Sequence, residues 1–315
     1  MLKIAYLVLV HDQPAQFQRL IHALDSKNAS FFVHIDLKSD ISEFNCFMNN
    51  VFFIKKRVSV NHAGFSLTQA MINLIQAAFV SNNFDYFIFL SGRDYPIKEK
   101  QYINKFLEDR YPLNFIDFYH LTKDDRAIGH ISKYHFVDLI GYSPKIIKTP
   151  LKAIRWILRQ LLTSRKFING MIPYRGSQWF SLNRDTVSYI VDFLNSKDSK
   201  KYIDFFKQVW GSDEIFFHSL ILNSPYAEQC YYNRESITTL EKICDTSKLR
   251  NITTYLHYID WNEKRENPAV FDADDFSILQ QQKAIFARKF CEKKSAELLA
   301  RIDRVLLGIN QDPIN

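Results

Sequence analysis

Ile4 to Val10 is an unbroken run of seven apolar residues, followed at once by a segment with helical spacing. A run of that length suits an interior strand buried on both faces and is far too short to span a bilayer. Lys3–Val10 therefore reads as a strand. Phe17, Leu20, Ile21 and Leu24 share one helical face, with Asp12 as the expected cap and Pro14 in the tolerated first turn. The alternation continues: Phe31–Ile35 and Val51–Ile54 as strands, Ser66–Val80 as a helix with Leu67, Met71, Leu74 and Ala78 on one face, then Tyr86–Leu90 as a strand. A helix at Ile103–Leu107 and a strand at Phe115–Tyr119 complete the first 120 residues. This rhythm predicts an α/β fold with a mostly parallel sheet flanked by helices. Such sheets take ligands in the loops beyond their strand carboxyl ends, where Asp36 and the Ser91–Pro96 loop fall.

With 315 residues and 47% hydrophobic content the chain can bury a large core, so 1–315 reads as one unit with a first half (1–120) and a second (121–315). Only 8 Gly and 9 Pro argue against long flexible linkers. The four cysteines, Cys46, Cys230, Cys244 and Cys291, form no CxxC pair and no zinc pattern. No leader-like segment precedes the first strand, so free thiols and a cytoplasmic location are expected. The net charge of +7 equals the seven cations between Lys145 and Lys166, a stretch without an acid. The remainder is neutral, which argues against a broad nucleic-acid surface. There is no G-x-G-x-x-G fingerprint and no P-loop.

In the second half, Lys123–His135 is polar and irregular, with Arg126, His130, Lys133, Tyr134 and His135 as candidate substrate contacts. Leu151, Ile154, Leu158, Leu161 and Leu162 lie on one helical face of the basic stretch. A helix at Asp185–Leu194 and a strand at Leu256–Asp260 are also expected. Asp213-Glu214 follows Trp210-Gly211-Ser212 and opens an apolar helical run. Asp213 can cap that helix. A carboxylate projecting from its first turn, as Glu214 would, is suited to taking a proton from a bound hydroxyl; an acidic cap and nothing more is the alternative.

Seven segments, in order, resemble the core-2/I-branching N-acetylglucosaminyltransferases and peptide xylosyltransferases, glycosyltransferase family 14. They are AYLVLVH at 5–11, HIDLKS at 34–39, NHAGFSLTQA at 61–70, DYFIFLSGRDYPIK at 85–98, YRGSQWFSLNRD at 174–185, SDE at 212–214 and IFARKF at 285–290. In texture the chain is most similar to bacterial members. The resemblance implies a GT-A-like fold, a UDP-sugar donor (UDP-N-acetylglucosamine before UDP-xylose), inversion at the anomeric carbon and no divalent metal. Absence of an Asp-x-Asp in the loops after the early strands agrees with the last point. A metal-free enzyme must neutralise the departing diphosphate with fixed cations.

By the same resemblance Glu214 is the general base, and Asp36, Leu9 and His11 line the nucleotide pocket. His62, Asp94, Ser177, Gln178 and Trp179 belong to the donor-sugar region. Lys289 matches the family's diphosphate lysine, and His257 stands where the family has an arginine, a loss for which Arg288, Arg250 or Arg265 could substitute. Each has a plainer reading: Asp36 as a strand-end turn residue, Arg93 as a salt-bridged cation, Trp179 as core. The basic stretch 145–166 either packs its apolar stripe on the body or meets an anionic membrane surface. The second choice would suit a peripheral enzyme on the inner face of a membrane, acting on a lipid-linked glycan.

Overall fold

The computed structural model describes residues 1–46, 48–125, 127–162, 164–231, 256–262, 264–266 and 268–309, apart from the side chains of 159, 160 and 231. Strand β1 (Ile4–Val10) is an interior strand of a seven-stranded mixed, mostly parallel sheet. Its parallel neighbours are β2 (Ala29–Ile35) and β4 (Tyr86–Ser91), and β3 (Val51–Phe53) extends the sheet beyond β2. On the other side β9 (Ser181–Asn183) runs antiparallel between β4 and β6 (Asn114–Phe115), and β10 (Cys230–Tyr231) closes the edge. The second half of the chain thus adds two strands to the sheet begun by the first.

The unbroken apolar run has its explanation in the two cores. Side chains alternate across a strand, so Ile4, Tyr6, Val8 and Val10 enter one cluster while Ala5, Leu7 and Leu9 enter the other. Helix α1 (Pro14–Leu24) covers the first face with Phe17, Leu20, Ile21 and Leu24. Helix α2 (Phe65–Ser81) covers the second with Met71, Leu74 and Ala78. The last helix, Ala296–Leu306, is fastened to α1 through buried Asp303, which accepts from Arg19 Nε at 2.9 Å and from the Tyr95 hydroxyl at 2.6 Å.

Two expectations need correction. Asp12 does not cap α1: Gln13 takes the preceding position in a left-handed conformation, and Asp12 turns to Arg93 instead. Phe115–Tyr119 is not one strand. It splits at Ile116-Asp117 into β6 and β7 (Phe118–His120), and β7 pairs antiparallel with β8 (Tyr174–Gly176) in a separate two-stranded sheet. Gly176 permits that pairing, because a Cβ there would lie 1.6 Å from the Asp117 carbonyl oxygen.

A three-stranded sheet joins distant parts of the sequence: β5 (Asp94–Pro96) lies antiparallel to β12 (Phe286–Arg288), which runs parallel to β11 (His257–Ile259). Between the halves run the short helices α4 (Ile128–Ser132) and α5 (Val137–Tyr142), then α6 (Lys145–Leu161). Helix α3 (Lys100–Glu108) precedes them. Helices α7 (Arg184–Asn195) and α8 (Ser199–Phe206) lead to a 3-10 turn, Ser212–Glu214, and to α9 (Phe216–Leu222).

Candidate active site

The strand order reverses at β1, whose successor β2 lies on one side and β4 on the other, and ligand crevices form at such points. The residues that follow these strands converge there. Gly92 donates its N–H to the Leu9 carbonyl at 3.0 Å, tying the loop after β4 to the end of β1. Arg93 grips Asp12 with both Nε (2.9 Å) and Nη2, and His11 Nε2 lies 3.4 Å from the same carboxylate. Leu9 itself is core.

Asp94 is the electrostatic centre of this end. It is fully buried, yet four groups meet its two oxygens. Ser91 donates N–H to Oδ2 at 2.7 Å and its hydroxyl to Oδ1 at 2.9 Å, and Arg288 Nη1 donates to Oδ1 at 2.7 Å. His257 Nε2 stands 3.4 Å from Oδ2. Burial favours the neutral acid, but Arg288 and His257 outweigh it and hold the Asp94 carboxyl below its usual range.

His257 is fully buried, its ring against Trp179 (5.6 Å) and Phe286 (5.2 Å). It therefore meets Asp94 from beneath and offers no surface to the cleft. Arg288 is the partly exposed member of the group. Its guanidinium lies 4.6 Å from the Trp179 ring, and only Nη1 is engaged by the described residues, leaving Nε and Nη2 for a ligand. Trp179 is thus both core and platform. Lys289 forms no ion pair among the described residues. Desolvation, together with the nearby Arg93 and Arg288, pulls its ammonium below the usual lysine range. Desolvation and the same two arginines lower His11 as well, although Asp12 opposes them. Arg93 and Arg288 thus crowd Lys289 closely enough to depress its ammonium, and an anion bound there would relieve it.

The second cluster is built around Glu214. Gly211 adopts a left-handed conformation (φ 64°) and donates to the Ala63 carbonyl at 2.9 Å, and the Ser212 hydroxyl meets Thr68 Oγ1 at 2.7 Å. The loop bearing His62 and the start of α2 therefore hold the Ser212–Glu214 turn. Asp213 does not cap a helix; α9 begins only at Phe216. Its carboxyl is buried with Oδ1 unpartnered, and burial together with Glu214 pushes its pKa up to about 7. Glu214 is about one third exposed and accepts from Arg175 Nε (2.9 Å) and Nη2, both on Oε2. Oε1 accepts nothing from the described residues. Arg175 Nη1 is 3.1 Å from His130 Nδ1, which links the turn to α4.

One short segment joins the clusters. Arg175 holds Glu214 and Trp179 stacks on Arg288, so their Cα atoms are at most about 14 Å apart along an extended chain. Ser177 accepts the Trp179 N–H at 3.2 Å, and Gln178 is half-buried between them.

The remaining expected residues are placed as follows. Asp36 is buried in a turn, its Oδ1 accepting from Lys38 N–H at 2.9 Å and Oδ2 from Val60 N–H at 3.3 Å, so turn-making accounts for its contacts. His62 is exposed. Tyr134 packs under Arg165, and His135 meets the Gly129 carbonyl, so neither is turned to the cleft as a free donor. Lys133 is exposed. Arg265 is engaged by Asp260 and Asp275. Arg126 and Arg250 lie outside the described residues. Arg175 and Asp117 were not singled out by sequence reasoning, and Asp12 was read only as a helix cap. Arg175 sits inside a quoted segment, and its neighbour Gly176 was the one available signal. Among the described residues no group of three or more His, Cys, Asp or Glu is arranged to hold a metal ion.

The family model described as Branch: Core-2/I-Branching enzyme matches residues 4–283. The chain belongs to that family. Rat xylosyltransferase 1 is 26% identical over 97% of the chain and 36% of its own length. Bovine xylosyltransferase 2 is 27% identical over 97% of the chain and 34% of its own length. The chain thus spans about a third of the length of these relatives. Among solved structures, apo mouse xyloside xylosyltransferase 1 covers 90% of this chain and 97% of its own at 9% identity, with a TM-score of 0.37. Of the seven segments that carried the resemblance, six fall wholly within the branching-enzyme match and IFARKF lies just beyond it.

Proposed function

We propose that this branching-enzyme family member is an inverting glycosyltransferase that moves a sugar from a UDP donor to a glycan hydroxyl without a metal ion. Glu214 acts as the base. Its Oε2 is fixed by Arg175, so Oε1 is the oxygen that takes the acceptor proton as the hydroxyl attacks the anomeric carbon. Single displacement needs no protein nucleophile. UDP leaves toward the cationic end, where Lys289 and the unused donors of Arg288 meet the diphosphate. Arg288 then supplies the charge that His257, buried behind Asp94, does not. Asp36, Leu9 and His11 border the nucleotide, and His62 with Ser177 and Gln178 borders the donor sugar. A GT-A-like arrangement accords with this division of the cleft.

The observation that carries the proposal is the half-free carboxylate of Glu214 and the crowded cations Arg288 and Lys289 at opposite ends of the Arg175–Trp179 segment. The donor proposed is UDP-N-acetylglucosamine. UDP-xylose is the second reading, favoured by the similarity to xylosyltransferases 1 and 2. A third, a sugar-binding protein without turnover, would retain the cations and lose the base chemistry.

The test is turnover of a panel of UDP-sugars in EDTA, comparing wild type with Glu214→Gln. Loss of turnover with UDP binding retained supports the base assignment. Equal turnover in the variant, or turnover only after manganese is added, overturns the mechanism.

A further inference from the structure

Helix α6 differs from every other long helix in the fold. Helices α1, α2 and α7 each bury an apolar face, but α6 has no buried residue among those described, although its apolar and basic residues are sharply segregated. Of the apolar stripe expected to pack on the body, only Leu151 and Leu158 lean on it. Lys148, Leu151, Arg155 and Leu158, spaced three-four-three residues apart, are half-buried and form the edge that leans on the protein, chiefly on α5. The opposite arc faces solvent: Ile146 is 87% exposed, Leu161 75% and Trp156 65%, with Ile154 and Ile157 also exposed. Five large apolar side chains on one outward arc form a patch that water alone does not explain. Lys145 and Lys152 flank it, and the stretch 145–166 contains no acid.

The helix is also firmly anchored. Arg165, just past its end, lies over the rings of Phe205 (3.9 Å) and Tyr134 (4.8 Å) and donates Nη2 to the Phe205 carbonyl at 2.7 Å. That arginine belongs to the body and not to the outward surface. No helix among the described residues is long and apolar enough to cross a membrane.

We infer that the outward arc of α6 is an interfacial docking surface for an anionic lipid bilayer. The apolar side chains enter the headgroup boundary, Trp156 sits at headgroup depth, and Lys145 and Lys152 meet lipid phosphates. Charge complementarity selects this occupant, since an apolar protein partner would not need a rim of uncompensated cations. The arrangement also orients the cleft. Helix α5, which supports α6, carries Asp138, and Asp138 accepts from Asn61 Nδ2 (3.0 Å) and from Ser66 N–H (2.8 Å) and hydroxyl (2.6 Å). Those residues flank the loop whose Ala63 carbonyl holds Gly211. The docking surface is thus built onto the Glu214 side of the cleft, which suits an acceptor hydroxyl on a lipid-linked glycan. That last step rests on the proposed base role; the docking itself does not.

Flotation of the intact chain with phosphatidylcholine vesicles, with and without phosphatidylglycerol, tests the surface. Wild type should float with the anionic vesicles at low salt and less at high salt. Lys145→Glu with Lys152→Glu should weaken partitioning at least about tenfold. Ile146→Glu with Ile157→Glu and Leu161→Glu should abolish it at any salt. Unchanged thermal unfolding of both variants establishes that the fold survives, as expected for exposed positions. Failure of the wild type to float, flotation independent of phosphatidylglycerol, or equal flotation of the variants overturns the inference. So does a wild-type dimer that the apolar variant converts to monomer, since a second copy would then cover the face. Hydrolysis of UDP-sugar measured without lipid fails separately, and only if the catalytic reading is wrong.

Discussion

Asp94 with Arg288 and Glu214 with Arg175 are carboxylate–arginine pairs at the two ends of the Arg175–Trp179 segment, and they are made in opposite ways. Asp94 is sealed from solvent and both its oxygens are engaged, by Ser91, Arg288 and His257. Glu214 is partly open, and one oxygen carries both bonds from Arg175 while the other accepts nothing from the described residues. A saturated buried carboxylate organises its surroundings and cannot easily take a proton. A carboxylate fixed by one oxygen is oriented and keeps the other oxygen open to a donor. The difference teaches which of two similar pairs holds structure and which is fit for chemistry.

The largest effect expected from breaking the contrast is on rate. Glu214→Gln should lower transfer by about 10²–10⁴-fold while calorimetry finds UDP affinity kept. Comparable loss of UDP binding would mean that Glu214 belongs to the donor site. Asp94→Asn should act on the fold instead, costing about 3–5 kcal/mol in urea denaturation because Arg288 loses its buried partner, whereas Glu214→Gln should cost under about 1 kcal/mol. Equal destabilisation by the two would erase the distinction drawn between them.

Asp117 sharpens the comparison as a carboxyl whose Oδ2 is buried without a partner among the described residues. Its Oδ2 is sealed off, and burial pushes its pKa up from 3.8 to about 7. Below about pH 4 both folded and unfolded chains hold the proton, and between pH 4 and 7 only the folded chain does. Stability should therefore fall as pH rises through that window and level off above it. The share of that fall due to Asp117 should be about 2–4 kcal/mol and should be missing from Asp117→Asn, where only the Asp213 share remains. Urea midpoints measured against pH decide this, and parallel curves for the two proteins would refute it. Smallest is Lys289→Ala, which should weaken UDP binding about tenfold, the loss of one charge-assisted contact. Unchanged affinity would leave Arg93 and Arg288 as the diphosphate's partners.

Much of the fold was legible because its signals are local. The seven-residue run of β1 and the one-faced spacing of α1 and α2 each follow from the periodicity of strand or helix, whatever surrounds them. Errors arose where a local signal has two solutions. Asp12 is a good helix cap, but a guanidinium 81 residues away is the stronger partner. Asp213 also reads as a cap, yet the left-handed Gly211 tightens the chain into a 3-10 turn and buries that carboxyl. The apolar stripe of α6 was visible, but the direction it faces was not.

Sequence alone determined the alternation of strands and helices, the two-sided burial of β1 and the residue types present at each strand end, since these depend on neighbours a few positions away. Tertiary structure decided which charges meet. Arg288 reaches Asp94 across 194 residues only because β12 pairs with β5, and Glu214 shows one free oxygen only because β8 brings Arg175 to the other. Charge interactions decay with distance in space and take no account of distance along the chain. The fate of each carboxylate was therefore settled by folding and not by its sequence neighbours.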